Sequence, residues 1–110
     1  MQSWEKALQI YREIKDRQAE GQILGGLGIA YFSLGQYQKA IEYQQQSLAI
    51  AREIGDRQGE AASLGNLGNA YNSLGQYQKA IEFYQQFLTI AREIGDRRGE
   101  GTIEIGRAHV

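Results

Sequence analysis

Leu64-Gly65-Asn66-Leu67-Gly68-Asn69-Ala70-Tyr71-Asn72-Ser73-Leu74-Gly75-Gln76-Tyr77-Gln78-Lys79-Ala80-Ile81-Glu82 decides the fold. Leu64, Leu67, Gly68, Tyr71 and Leu74 stand three and four residues apart, as on one face of a helix, and no long segment of the chain alternates like a strand. Leu74-Gly75 ends that helix, because glycine closes a helix in the left-handed conformation without steric cost. The spacing predicts one helix over about Gln58 to Ser73 and a second over about Tyr77 to Ile94. The second carries Tyr77, Ala80, Ile81, Tyr84, Leu88 and Ala91 on one stripe and Phe83, Phe87, Ile90 and Ile94 on the next. Two apolar stripes call for two partners, the paired helix and a further unit. Gly95-Asp96 is expected to close this helix, with Asp96 able to cap a following one.

The stretch occurs twice. Residues Arg17 to Asp56 and Arg57 to Asp96 match without a gap at 29 of 40 positions. The first copy repeats the layout with Leu24, Leu27, Gly28, Tyr31 and Leu34, a turn at Gly35, then Tyr37, Ala40, Ile41, Leu48, Ala51 and Ile54. A unit of this length rarely buries its own apolar face and stacks on its neighbours instead. Trp4 to Arg17 aligns with Gln44 to Arg57, so residues 1–16 read as a half repeat holding only the second helix. Repeats follow over 17–56 and 57–96. Residues 97–110 begin another and align best with two positions missing, as a truncated or degenerate start. The expected architecture is a single all-α solenoid of antiparallel helix pairs over 1–110. Gly28 and Gly68 sit inside helices, where glycine costs about 1 kcal/mol against alanine. Close approach of the paired helix, with Ala40 or Ala80 facing it, is the expected compensation.

Composition narrows the function. A formal net charge of -1, from 12 basic and 13 acidic side chains, gives no basic stripe for nucleic acid. Arg52-Glu53 and Asp56-Arg57 read as a solvated helix face. Cysteine is absent, which excludes disulfides, thiolate catalysis and cysteine-ligated zinc. Proline is absent too, which removes the strongest helix breaker. No apolar run approaches the roughly 20 residues that cross a bilayer, and the N-terminus lacks the apolar region of a signal peptide. A cytoplasmic protein without membrane or nucleic-acid partners is expected.

Enzymatic chemistry finds no support. His109, the only histidine, aligns with a core tyrosine position. No H-E-x-x-H, calcium loop or phosphate-binding glycine motif occurs. Leu24-Gly25-Gly26-Leu27-Gly28 lacks both the following Lys-Ser/Thr and a preceding strand. Glu42 and Glu82 recur through duplication and follow Lys39 and Lys79 at i+3, a usual surface pairing. No catalytic residue, cofactor or metal is expected.

Leu64, Leu67-Gly68, Tyr71, Gly75, Tyr77, Ala80, Tyr84 and Phe87 resemble the tetratricopeptide repeat, and the resemblance covers nearly the whole chain. The commonest form is about 34 residues long. The 40-residue unit is similar to repeats of kinesin light chain, of Leu-Gly-Asn scaffolds and of bacterial, including cyanobacterial, multi-repeat proteins. Arg52 and Arg92 replace the proline that often closes the second helix. The resemblance implies a right-handed superhelix whose first helices line a concave groove, a scaffold that binds a partner peptide there. It also implies that Asn66 and Asn69 face the groove and hydrogen-bond the ligand backbone, with Asn72 and Ser73 bordering it one turn on.

An asparagine amide offers both a donor and an acceptor. The plainer reading is capping or a solvated face. The first copy has Gly26, Ile29 and Phe32 at these positions, which suits either an apolar ligand anchor or packing against the N-terminal helix with its Trp4, Leu8 and Tyr11. The lysines and arginines of a carboxylate clamp are missing at Asn66 and Asn69. The competing function is self-association: unpaired apolar faces at Trp4, Leu8 and Tyr11 and at Ile103 and Ile105 would join chains into a homo-oligomer, head to tail or by helix exchange, without a peptide ligand.

Overall fold

The computed structural model describes residues 2–99, which form five helices: α1 (Gln2–Glu13), α2 (Arg17–Ser33), α3 (Tyr37–Ile54), α4 (Arg57–Ser73) and α5 (Tyr77–Gly99). There is no strand among the described residues. Connections of two or three residues force each helix to run antiparallel to the one before it. The expected all-α repeat solenoid is what forms.

Local chemistry sets the helix ends. Asp16 accepts from the Ala19 amide at 3.1 Å and Asp56 from the Gly59 amide at 2.9 Å, each capping the helix that follows. Gly55 closes α3 at φ 72°, and Gly35 and Gly75 make the turns within each unit at φ 75° and 76°. The α1–α2 turn has no glycine, and there Lys15 takes φ 57°.

Packing explains the two apolar stripes. Leu8, Leu24, Leu27, Tyr31, Ala40 and Ile50 form one core cluster; Ile41, Leu48, Ala61, Leu64, Leu67, Ala70 and Ile90 form the other. Helix α3 feeds both, Ala40 and Ile50 toward α2, Ile41 and Leu48 toward α4. Phe32 packs against each cluster. Burial of a leucine such as Leu27 or Leu67 stabilises by about 1.5–3 kcal/mol relative to leaving it exposed.

Three expectations are corrected. The helical glycines do not face Ala40 and Ala80. The Gln44 side chain lies across Gly28 and the Tyr84 ring across Gly68, one turn further along, because that is where the paired helices cross. Lys39 and Lys79 lie over the rings of Tyr31 and Tyr71, at 5.0 and 5.3 Å from the centroids, and those rings stack on Tyr43 and Phe83. The rings offer each ammonium group an attractive face within reach. Helix α5 runs on to Gly99 and does not close at Gly95-Asp96. Glycine permits the left-handed turn without imposing it; at Gly55 the turn is held by α4 packed beside α3.

The surface pattern also hides a repeated ionic ladder. Glu20 is buried and receives Arg12 (3.1 Å) and Arg17 (2.9 Å), and Arg17 reaches on to Glu53 at 2.8 Å. One unit later Glu60 receives Arg52 (3.2 Å) and Arg57 (2.8 Å), and Arg57 pairs with Glu93. Arg12 and Arg52 thereby tie a second helix to the first helix of the next unit, while Arg17 and Arg57 tie the two helices of one unit together.

Candidate functional site

A groove runs between α2 and α4, with α3 as its floor. One part, of about 270 Å³, is lined by Gly21, Gly25 and Ile29 on α2, by Gln44, Ser47 and Ile50 on α3, and by Gly59, Ala62 and Asn66 on α4. A second part, of about 170 Å³, continues along the same helices past Gly28, Phe32 and Asn69. Ile29, Gln44 and Asn66 line both.

The floor is built from buried polar side chains. Ser47 donates to the Gly21 carbonyl at 2.9 Å, and Ser63 donates to the Ser47 hydroxyl oxygen at 3.2 Å, so two hydroxyls link α2, α3 and α4. Gln44 donates through Nε2 to the Gly25 carbonyl at 3.0 Å. Among the described residues the sole charged one in the lining is Asp56, whose Oδ1 is engaged as the α4 cap.

The structure brings together Ile29, Phe32, Asn66 and Asn69, from two different copies of the repeat, on one groove. Ile29 is 54% exposed, a large apolar side chain on the groove wall. Asn66 is half-buried on the facing wall, and its amide makes no hydrogen bond among the described residues. Asn69 is partly committed: its Oδ1 accepts from the Tyr84 hydroxyl at 2.6 Å.

Other expected positions fall elsewhere. Gly26 borders the groove, but its missing side chain serves packing, because the Trp4 ring of α1 occupies that space. Trp4 corresponds to Gln44 one unit later and Gly26 to Asn66, so a large-and-none pair in one place becomes two mid-sized amides in the other. Asn72 and Ser73 are exposed and line neither part of the groove, since the helix has turned them away. Leu8 is corrected as a self-association residue: it is buried against Leu24 and Leu27. Tyr11 is half-buried, and Trp4 keeps 40% of its surface exposed. Ile103, Ile105 and His109 lie outside the described residues. The residue that reading by repeat missed is Gln44. Its signal was an amide replacing the aromatic Tyr84 opposite a helical glycine.

Among the described residues no three His, Cys, Asp or Glu side chains gather as a metal site, and no helix is long and apolar enough to cross a membrane.

Comparison with known proteins agrees with this architecture. No curated protein sequence matches the chain significantly. Among solved structures 26 chains match. One is the crystal structure of the TPR domain of Arabidopsis FLU, with 28% identity and a TM-score of 0.77, covering 82% of this chain and 76% of that one. The tetratricopeptide repeat family model matches residues 2–53 and, overlapping them, 21–93. A repeat fold of this kind is a protein–protein interaction module. With capped helix pairs, a core shared between units and this match over most of its length, the chain belongs to the tetratricopeptide repeat family.

Proposed function

We propose that the chain is a scaffold that takes a peptide segment of a partner protein into the α2–α4 groove. The observation that carries this reading is the exposed Ile29 side chain facing the unpaired Asn66 amide across a continuous cleft. Exposed apolar surface rimmed by polar groups marks an interaction site. The asparagine amide supplies a donor and an acceptor for a peptide group, and Ile29 with Phe32 supplies apolar anchoring.

The test is binding of short peptides selected from a random display library against the whole chain. Ile29→Arg is expected to weaken a selected peptide about tenfold or more, and Asn66→Ala severalfold. Tyr84→Phe serves as the control that frees Asn69 without altering the α2 wall. Unchanged affinity in both Ile29→Arg and Asn66→Ala would sink the groove assignment.

A second reading is self-association through exposed apolar side chains. Ile10 on α1, Ile14 in the turn after it, and Tyr77, Ile81 and Leu88 on α5 support it, although Leu8 is already used inside the chain. Sedimentation over a concentration series tests it, and a constant monomer mass counts against it.

A further inference from the structure

One face of α5 has the composition of a buried surface and stands open. Ile81, Gln85, Leu88 and Arg92 are the same residue types as Ile41, Gln45, Leu48 and Arg52 at the matching places on α3. On α3 the two apolar side chains are buried beneath α4, whereas on α5 both are exposed. The charges of this stretch lie off the face. Lys79 sits over the Tyr71 ring of its own unit, and Glu82 stands more than a quarter-turn round the helix from Ile81.

The rest of the chain narrows what can cover this face. The surface that covers Ile41 and Leu48 belongs to a first helix, α4. In a second copy both first helices are already taken: α2 lies against α1 and α3, and α4 against α3 and α5. Only the last turn of α2 is open, at Leu34. Head-to-tail stacking would therefore have to pull a helix out of a finished core. The two end helices of the copy remain. Helix α1 exposes Ile10, but Lys6 and Glu13 stand about one turn to either side and are exposed with it. Packing α5 there would take both charges out of water. Between Ile81 and Leu88 the α5 face of the copy brings no charge.

That face is also complementary to itself. Ile81 and Leu88 are two turns apart, so antiparallel pairing about a point between Tyr84 and Gln85 sets Ile81 on Leu88 of the second copy, and Leu88 on its Ile81. The same operation brings each Tyr77 ring beside an Arg92 guanidinium, a favourable approach. We propose that this face is a homodimer interface, with α5 packed antiparallel on α5 of a second copy about a two-fold axis. The inference rests on the self-association reading given above and changes its form. A two-fold contact uses one patch twice and closes on itself, so assembly stops at two chains. Two helices meeting over about four turns make a small interface, and a dissociation constant of roughly 10–100 µM is expected.

The experiment is sedimentation of the whole chain from about 1 to 500 µM, a range that brackets this value. A monomer–dimer equilibrium without larger species is expected. Ile81→Lys and Leu88→Glu, at exposed positions and checked for folding by circular dichroism, should each weaken the dimer about tenfold or more. Mixed in equal amounts they should pair again. The antiparallel register sets the introduced amine against the introduced carboxylate in one contact and leaves the native Leu88–Ile81 contact in the other. Gln85→Cys, in a chain without cysteine, should cross-link to itself beside the axis under mild oxidation, and Ile10→Cys should not. If the chain's own residues 100–110 or a different protein cover the face, wild type stays a monomer throughout, and both the pairing and the self-association reading fail. A wild-type dimer that ignores both α5 variants, or that is lost in Ile10→Glu, overturns the pairing and leaves self-association standing. Variants that lose the dimer without recovering on mixing overturn the antiparallel register, and growth beyond two chains overturns the closed two-fold form.

Discussion

At Lys15 the backbone takes φ 57°, in the region that glycine occupies at the matching Gly55. A side chain there crowds the following carbonyl at a cost of roughly 1–2 kcal/mol. Lys15→Gly is therefore expected to raise unfolding free energy by about 1 kcal/mol, measured by urea titration. The opposite holds at Gly68. A methyl group there would meet the Tyr84 ring, whose hydroxyl is held in place by its hydrogen bond to Asn69. Gly68→Ala should cost about 1–3 kcal/mol as overpacking, read by the same titration. Sequence patterning exposed the need for a small residue at Gly68. It named the wrong neighbour, because the crossing point of two helices depends on the volumes of all the side chains between them.

Among the elements, α3 is the one that two cores share, and the ionic ladder runs beside it. The Glu53 carboxyl is held below the usual carboxylate range, first by its hydrogen bond with Arg17 and then by the charge of that guanidinium. A carboxylate whose folded pKa is depressed adds stability above its unfolded value, and loses it as pH falls through the folded one. Glu53→Gln should thus leave Tm almost unchanged at acid pH and lower it slightly near neutrality. High salt should shrink that difference, since the pair is exposed to solvent. A thermal-melt series against pH and salt checks both. Much of this element was legible: Ala40, Ile41, Leu48 and Ala51 stood out at helical spacing, although Ala40 and Ile41, read together there, serve different cores. The ladder was not, because Arg52-Glu53 and Asp56-Arg57 look like solvated surface until Glu60 is seen buried beneath Arg52 and Arg57.

Across the whole molecule, identical residues meet different fates according to their place in the stack. Leu48 is 6% exposed and Ile41 4%, both covered by α4, whereas their copies Leu88 and Ile81 are 47% and 46% exposed. Tyr77, expected on an inward stripe, is exposed for a different reason: its copy Tyr37 packs edge-on against Phe32, and the second unit has Asn72 in place of that ring. Leu48→Ala is expected to cost about 2–5 kcal/mol, and Leu88→Ala about 0.5 kcal/mol or less. Denaturant titrations of the two variants side by side decide it. Because unit interfaces carry much of the stability of a stacked array, Leu48→Ala should also broaden the transition.

The candidate site shows where the two levels divide. Sequence by itself determined the helices, their turns and the stacking, because periodicity, caps and glycines act over a few residues and the duplication displays them twice. It also set Ile29, Phe32, Asn66 and Asn69 apart, as places where the copies disagree. Only the tertiary structure decided which of these share a groove, that Trp4 fills the space above Gly26, and that Asn69 is bound to Tyr84. It alone showed the buried, half-satisfied amide of Gln44. Such facts depend on side chains from three helices meeting at one point, and spacing along a single helix carries no record of that meeting.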